Sequence, residues 1–342
     1  MEIAKRSGKG CLIAVGIAIL VAMLAGLLMI GGCVWMVKSA AGGGGCEARH
    51  ATQMGVDESP AMNEVWAWGR GDTKVVMISV RGMIMLDEEE SLFGTRLSSA
   101  SFALNAIRRA THDPEVRAII LDIDSGGGGI TASDVIYEAL QKFKDARKGR
   151  QVVALMDDVA ASGAYYIALA ADSIIAHPTT ITGSIGVLMQ SFNLKELALK
   201  IGVKDVTIKS GANKDMLNPL GDLSDVQRLM LQQIVDQLHA RFVKLVAENR
   251  ELPEEKVREI ADGRIFTADQ ALALGLIDEI GYFQDAVDAA AALLTVDEVK
   301  VYRYEHERSF SDFFKVQMNA NPLSAWLSKP SPETRLLYRW AF

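Results

Sequence analysis

The chain has 342 residues, 49% of them hydrophobic and 23% charged, with a formal net charge of −7 at pH 7. This length allows one large domain with extensions or two small domains. Three bases and one acid give the first ten residues +2 and leave −9 for the rest, a balance that argues against nucleic-acid binding. All three cysteines, Cys11, Cys33 and Cys46, lie in the first 46 residues, so the following 296 hold no disulfide, no cysteine-based zinc site and no thiol nucleophile. The five histidines are isolated and none has metal-ligand spacing, so no metal and no cofactor is expected.

In chain order, residues 1–10 form a short basic head. From Cys11 to Val37 run 27 residues without a charge, enough for about 40 Å of helix against the ~30 Å of a bilayer core. Lys5, Arg6 and Lys9 precede the run and Lys38 alone follows closely, which predicts a signal anchor over 11–37 with its N-terminus in the cytoplasm. A cleaved secretory signal has an apolar core of only about 7–15 residues. Ile30–Cys33 faintly resembles a lipoprotein processing site, but the apolar run continues beyond it. Residues 38–72 read as a flexible tether.

The stretch 73–84 then predicts a buried strand, 101–113 a helix, 116–125 a second buried strand, 133–149 a helix capped by Ser133, and 150–158 a third strand. This βαβαβα pattern predicts an α/β fold with largely parallel strands. Beyond residue 222 the chain reads as helical. Ser224 caps a long helix with Val226, Leu229, Val235, Leu238, Phe242 and Leu245 on one face, Pro253 opens another, and Thr267 with Gln270 forms a capping box. Residues 297–310 suggest a last strand, and the tail beyond reads as irregular.

Three loops carry candidate chemistry. Gly126–Gly129 follow the second strand directly; such a run turns backbone N–H groups outward, to cradle a phosphate or to form an oxyanion hole. The Gly-Lys-Ser/Thr ending of a phosphate loop is absent. In "AASGAYY", Ser162 sits at a strand-to-helix junction, where helix dipoles favour developing negative charge, although small residues there also suit close packing. "TGSIGV" (182–187) and "TIKSGANKDM" (207–216) form the third region. No histidine has a triad context, so a base for Ser162 must be sought among lysines such as Lys209 or Lys214, and a lysine serves once burial favours its neutral amine.

Together, "AASGAYY", "TGSIGV", "IKSGANKD" and "ADGRIFTADQALALGLIDEIG" resemble the signal peptide peptidase A family over residues 73 to 290. The resemblance implies a ClpP/crotonase-like fold of repeated β-β-α units, with an N-terminal transmembrane helix, a protease domain over 73–300 with a helical C-terminal part, and an extension over 301–342. It implies Ser162 as nucleophile and Lys214, 52 residues on, as general base. Ser184 orients the amine, and Gly128 and Gly163 supply oxyanion N–H groups. Gly126 stands where the family usually has proline, and Ala164 replaces a common second glycine. Asp215 beside Lys214 would oppose a neutral amine, so its side chain is expected to turn away. By the same resemblance the substrates are apolar peptides such as cleaved signal peptides and the assembly is a homo-octamer. The catalytic domain is expected on the extracytoplasmic side of a bacterial cell membrane, and the end "TRLLYRW" resembles family C-terminal tails, which implies that it folds back near an active-site groove. A catalytically inert membrane scaffold of the same fold, or a crotonase-like acyl-CoA enzyme, remain the competing readings.

Overall fold

The apolar runs read from the sequence become the strands of one large sheet. The computed structural model describes residues 60, 62–86, 88–91, 94–306 and 336–339. The predicted anchor over 11–37 and the tether up to residue 59 lie outside the described residues. Among the described residues no helix is long and apolar enough to cross a membrane.

The elements in order are β1 (Met62–Trp68), β2 (Thr73–Arg81), β3 (Glu88–Ser91), β4 (Gly94–Leu97), α1 (Ser99–His112), β5 (Val116–Ser125), β6 (Gly127–Gly129) and α2 (Ile130–Asp145). Then come β7 (Gln151–Ala161), α3 (Gly163–Ala168), β8 (Ser173–Ala176), β9 (Ile181–Gly183), β10 (Leu188–Met189), α4 (Lys195–Lys200), α5 (Asp225–Asn249) and α6 (Glu254–Ile260). The chain continues through β11 (Ile265–Thr267), α7 (Ala268–Ala273), β12 (Glu279–Ile280), α8 (Phe283–Leu294), β13 (Val299–His306) and β14 (Leu336–Arg339).

The main sheet runs β1-β13-β2-β5-β7-β8-β12, with β9 pairing the end of β7 and β11 pairing β9. β13 through β12 are parallel, whereas β1 is an antiparallel edge and β11 pairs β9 antiparallel. This is the mixed α/β architecture that the alternation of strands and helices predicts.

Period-2 alternation sends β5 residues Ile119, Leu121 and Ile123 to one face and Ala118 and Ile120 to the other. The first face packs under α1, α2 and α3 through residues such as Ile107, Leu140 and Ile167. The second is covered by Ala286, Val287, Ala290 and Ala291 of α8. Burial on both faces is why the strand is a continuous apolar run.

At the opposite end of the strands from Ser162, Lys74 of β2 is nearly buried and pairs with Glu64 and Asp113, each at 2.7 Å. Burial alone would raise the Asp113 carboxyl, but hydrogen bonds from Lys74 and the Glu115 N–H outweigh it and hold Asp113 below the usual carboxylate range. For Lys74 burial works downward, and the two carboxylates outweigh it and hold the amine above its ordinary value.

Several local expectations need correction. The supposed end of the tether contains β1, which adds to the sheet by pairing with β13. Ser133 does not cap its helix: α2 starts earlier, at Ile130, directly from the glycine run, and the Ser133 hydroxyl donates to Gly129 O one turn below (3.1 Å). The third strand runs on past 158 to Ala161. β13 extends to His306 inside the main sheet, so a domain boundary at 300/301 cuts a paired strand. Ser224 caps its helix and Thr267 with Gln270 forms a capping box, as the sequence predicts, and the structure adds Gln227 as the partner that completes a box at Ser224. The predicted apolar face of α5 is buried only in its C-terminal half, at Phe242, Val243 and Val246, while Val226 and Leu229 lie exposed.

Candidate active site

The site is built where β5, β7 and β9 end. β7 leads without a break into Ser162, which is 1% exposed and holds φ 56°, ψ −116° immediately before α3. A non-glycine residue at positive φ costs on the order of 1–3 kcal/mol and persists only where its surroundings enforce it. Here the Ser162 N–H donates to Gly183 O (2.8 Å), and Ser162 O accepts from the Tyr166 N–H (2.9 Å). The backbone is pinned on both sides while the hydroxyl makes no capping bond to the helix. Gly163 is the first residue of α3, where backbone N–H groups lack intrahelical acceptors.

One strand over, β9 pairs with β7 in parallel register, Ala161 opposite Gly183. Gly183 cannot carry a side chain, because a Cβ there would meet the Phe266 ring at 2.5 Å. Ser184 follows, buried, also at positive φ (52°), its N–H donating to Arg264 O (2.8 Å). The Ser162–Gly183 hydrogen bond therefore brings "AASGA" and "TGSIG" together.

β6 closes the other side. The Ser125 hydroxyl accepts from the Gly127 N–H (3.0 Å), and Ile84 brackets the strand by donating to Gly127 O (3.0 Å) and accepting from the Gly129 N–H (2.8 Å). A Cβ on Gly128 would lie 2.2 Å from Ile84 O, so glycine is required for this approach. On its free edge, β6 pairs antiparallel with β14: Gly129 opposite Leu337, Gly128 opposite Tyr338, Gly127 opposite Arg339. β14 also pairs with β10, Leu337 opposite Leu188, and lies against α2 and α3. A tail segment that reads as irregular is thus the middle strand of a three-stranded sheet beside the helix that Ser162 opens.

Ser162, Gly163, Ser184 and Gly128 are gathered in this way. Lys214 is not. It is exposed, and its amine has no hydrogen bond or ion pair among the described residues. Its loop is tied elsewhere: Gln227 Nε2 on the first turn of α5 donates to Ala212 O (3.2 Å). Asp215 turns to Lys209, accepting from its amine at 2.7 and 2.8 Å, and this pairing holds the Asp215 carboxyl below its ordinary value. Lys209 is thereby committed to an ion pair, and the carboxylate next to Lys214 is taken up by a different lysine.

The segment around Lys214 is apolar yet uncovered. Val206 is 85% and Ile208 98% exposed, and Phe192, Leu197, Leu199, Ile201 and Leu229 are also exposed. Sequence reasoning identified the serines and glycines from their motifs but gave no role to Ile84, whose backbone alone does the work and leaves no side-chain signature. Among the described residues, no group of three or more His, Cys, Asp or Glu side chains is arranged to hold a metal ion.

The pattern of Peptidase family S49 matches residues 144–297, from the end of α2 to just past α8. An Enterococcus faecium protein named for signal peptide peptidase SppA is 34% identical over 266 residues, covering 76% of this chain and 77% of its own. A Synechocystis protein named as a protease is 40% identical over 228 residues, covering 67% of this chain and 77% of its own. Protease 4 of Salmonella typhi is 34% identical over 221 residues, 63% of this chain but only 34% of that longer protein. On the extent of these matches, the chain belongs to peptidase family S49, the SppA-type serine proteases.

Proposed function

We propose that this protein is a membrane-anchored serine endopeptidase of ClpP/crotonase-like fold that cuts apolar peptides, remnant signal peptides among them, using Ser162 and Lys214. The observation that carries the reading is the seating of Leu336–Arg339 between β6 and β10. An extended peptide added as a strand at this edge uses main-chain hydrogen bonds for affinity, and it lies beside the Ser162 turn.

In this mechanism Ser162 Oγ attacks the scissile carbonyl carbon as the neutral Lys214 amine takes its proton. Backbone N–H groups of Gly128 and Gly163 stabilise the oxyanion of the tetrahedral intermediate. Lys214 then gives the proton to the leaving nitrogen as the C–N bond breaks. Water, deprotonated by the same amine, attacks the acyl-enzyme and frees the carboxylate and Ser162. Ser184 holds the amine through its hydroxyl. The strained turn at Ser162 supports a nucleophile presented in advance of substrate.

Lys214 serves the Ser162 of another copy. Arg241 of α5 bonds to Tyr166, one turn beyond Ser162, whereas Gln227 holds the Lys214 loop 14 residues earlier on the same helix. At 1.5 Å per residue that separation is about 21 Å. The exposed apolar side chains from Phe192 to Ile234 fit a partner surface, and covering them takes the amine out of water, which favours its neutral form. A closed homo-octamer supplies such a neighbour to every site. The apolar run 11–37 with its basic flank anchors the body to a bacterial cell membrane, N-terminus in the cytoplasm and catalytic domain on the extracytoplasmic side.

A serine-directed fluorophosphonate tests the assignment. Labelling is expected to vanish in Ser162→Ala, with turnover of an apolar fluorogenic peptide down by at least about 10³-fold, and to weaken greatly in Lys214→Ala. Normal cleavage by Ser162→Ala would overturn the reading, and wild-type protein that neither labels nor cleaves would favour an inert scaffold.

A further inference from the structure

Three elements carry the parts of the proposed site, and each contributes one side chain to a single hydrogen-bonded triangle. Tyr166 on α3 lies one turn past Ser162, and its hydroxyl donates to Asp134 Oδ1 at 2.6 Å. Asp134 lies on the second turn of α2, the helix that issues directly from β6. Arg241 of α5 donates from Nη2 to the same carboxylate oxygen (2.8 Å) and from Nε to the Tyr166 hydroxyl (3.3 Å). At its far end α5 holds the Lys214 loop through the bond from Gln227 to Ala212.

We infer that Asp134, Tyr166 and Arg241 form a positioning hub that fixes the base-bearing arm against the nucleophile helix and the oxyanion strand of its own chain, and so aims each copy's Lys214 at its neighbour's Ser162. The inference rests on the Ser162–Lys214 reading above. None of the three residues touches the reacting atoms; they act through the elements that do.

Tyr137 of α2 and Asn249 of α5 also share hydrogen bonds (3.3 and 3.4 Å), but these leave out α3, whereas the triangle takes in all three elements. α3 is held by its own burial and by the Tyr165 hydroxyl, which donates to Leu276 O (2.8 Å), so it gives the hub a fixed side to work from. α5 is packed only in its C-terminal half, around Phe242, whose ring lies 5.1 Å from that of Tyr166. Apolar packing seats this half of the helix in the core, and directional bonds add to the definition of its roll. The planar guanidinium reaching two acceptors on two helices fixes roll as well.

The protonation states suit this role. Burial and the Asp134 carboxylate push the Tyr166 phenol far above its ordinary value, so it stays a donor. Burial would raise the Asp134 carboxyl, but bonds from Tyr166 and Arg241 outweigh it and hold it below the usual range, so it stays an acceptor. A surface Arg–Asp pair alone adds little stability, so the value of the triangle lies in geometry.

The test uses the full-length protein with an apolar fluorogenic peptide, counting competent sites by fluorophosphonate labelling. Tyr166→Phe keeps the ring packing and removes two of the three bonds. It is expected to lower kcat per labelled site by about tenfold while KM stays within about twofold, as for a misplaced catalytic group. The acid limb of the kcat–pH profile moves to higher pH as the base loses its desolvated seat. Arg241→Ala behaves alike, and Arg241→Lys recovers part of the loss. If Tyr166→Phe fails to fold, the Arg241 pair gives the same reading. Unchanged kcat per labelled site and an unchanged pH profile, with only the melting temperature lowered, would overturn the hub. Ser162→Ala is assayed in parallel: full activity there sinks the nucleophile reading itself, whereas an inactive Ser162→Ala beside normal hub variants sinks only the hub.

Discussion

The sheet end that holds Ser162 and the segment that holds Lys214 obey opposite rules. Around Ser162 the backbone is pinned: Gly183, Ile84 and Arg264 each supply a main-chain bond, and Ala160, Ala161, Ala164 and Tyr165 are fully buried. Around Lys214 large apolar side chains face outward, and much of the chain between β10 and α5 is exposed. The first region is complete within one chain. The second has the composition of an interior without the burial, which is the signature of a surface awaiting a partner. The contrast teaches that one chain fixes the Ser162 turn and β6 by itself but holds the Lys214 loop away from them.

The sharpest perturbation of the pinned side is Gly128→Ala. Its Cβ falls 2.2 Å from Ile84 O, so β6 must leave its seat, and kcat is expected to fall by about 10²-fold, the scale of losing one oxyanion donor. Steady-state kinetics on the apolar peptide read this; unchanged kcat would show that β6 plays no part in the chemistry.

Lys74→Met probes the opposite end of the same strands. It strands the nearly buried Asp113 carboxylate and removes both ion pairs, for an expected loss of about 3 kcal/mol in denaturant melts at pH 7. The sign of the pH dependence follows from the shifts. Asp113, held below its ordinary value, contributes stability above pH ~4 that is lost as pH falls through its lower folded value. Lys74, held above its ordinary value, contributes below pH ~10.4, and that part is lost as pH rises through its higher folded value. The gap between wild type and variant therefore narrows at acid pH; a gap independent of pH would contradict the assignment.

The smallest effect on stability is expected on the arm. Leu199→Asp, at an exposed position, changes unfolding free energy by no more than about 0.5 kcal/mol. It nevertheless reduces assembly size in sedimentation, because it places a charge in an apolar interface. Unaltered sedimentation would sharpen the comparison differently, showing that this face stays open to solvent.

Much of this was legible in the sequence. β5 matches its predicted span, Val116–Ser125, residue for residue, because burial on both faces leaves an unbroken apolar run bounded by polar turns. The cap at Ser224 and the capping box at Thr267 were readable because capping is local chemistry. β1 and β14 were not. Each is a short strand whose bonds go to distant segments, β13 in one case and β6 with β10 in the other, and pairing that distant has no local pattern. The motifs named Ser162, Ser184, Gly128 and Lys214, and the structure assembles the first three around one turn. Lys214 stands apart because residue spacing says nothing about where a half-packed helix points. Periodicity marked the apolar face of α5 correctly, yet it cannot distinguish a face buried in its own core from one kept for another chain.

The central claim is that Ser162 of one copy works with Lys214 of another. Co-assembling equal amounts of Ser162→Ala and Lys214→Ala chains tests it directly, since either alone is inactive. If the pair forms between copies in a closed ring, about one quarter of sites receive an intact serine from one chain and an intact lysine from its neighbour. Peptide cleavage then returns to about that fraction of wild type. A mixed assembly that forms normally and stays as inactive as its parents would contradict the account.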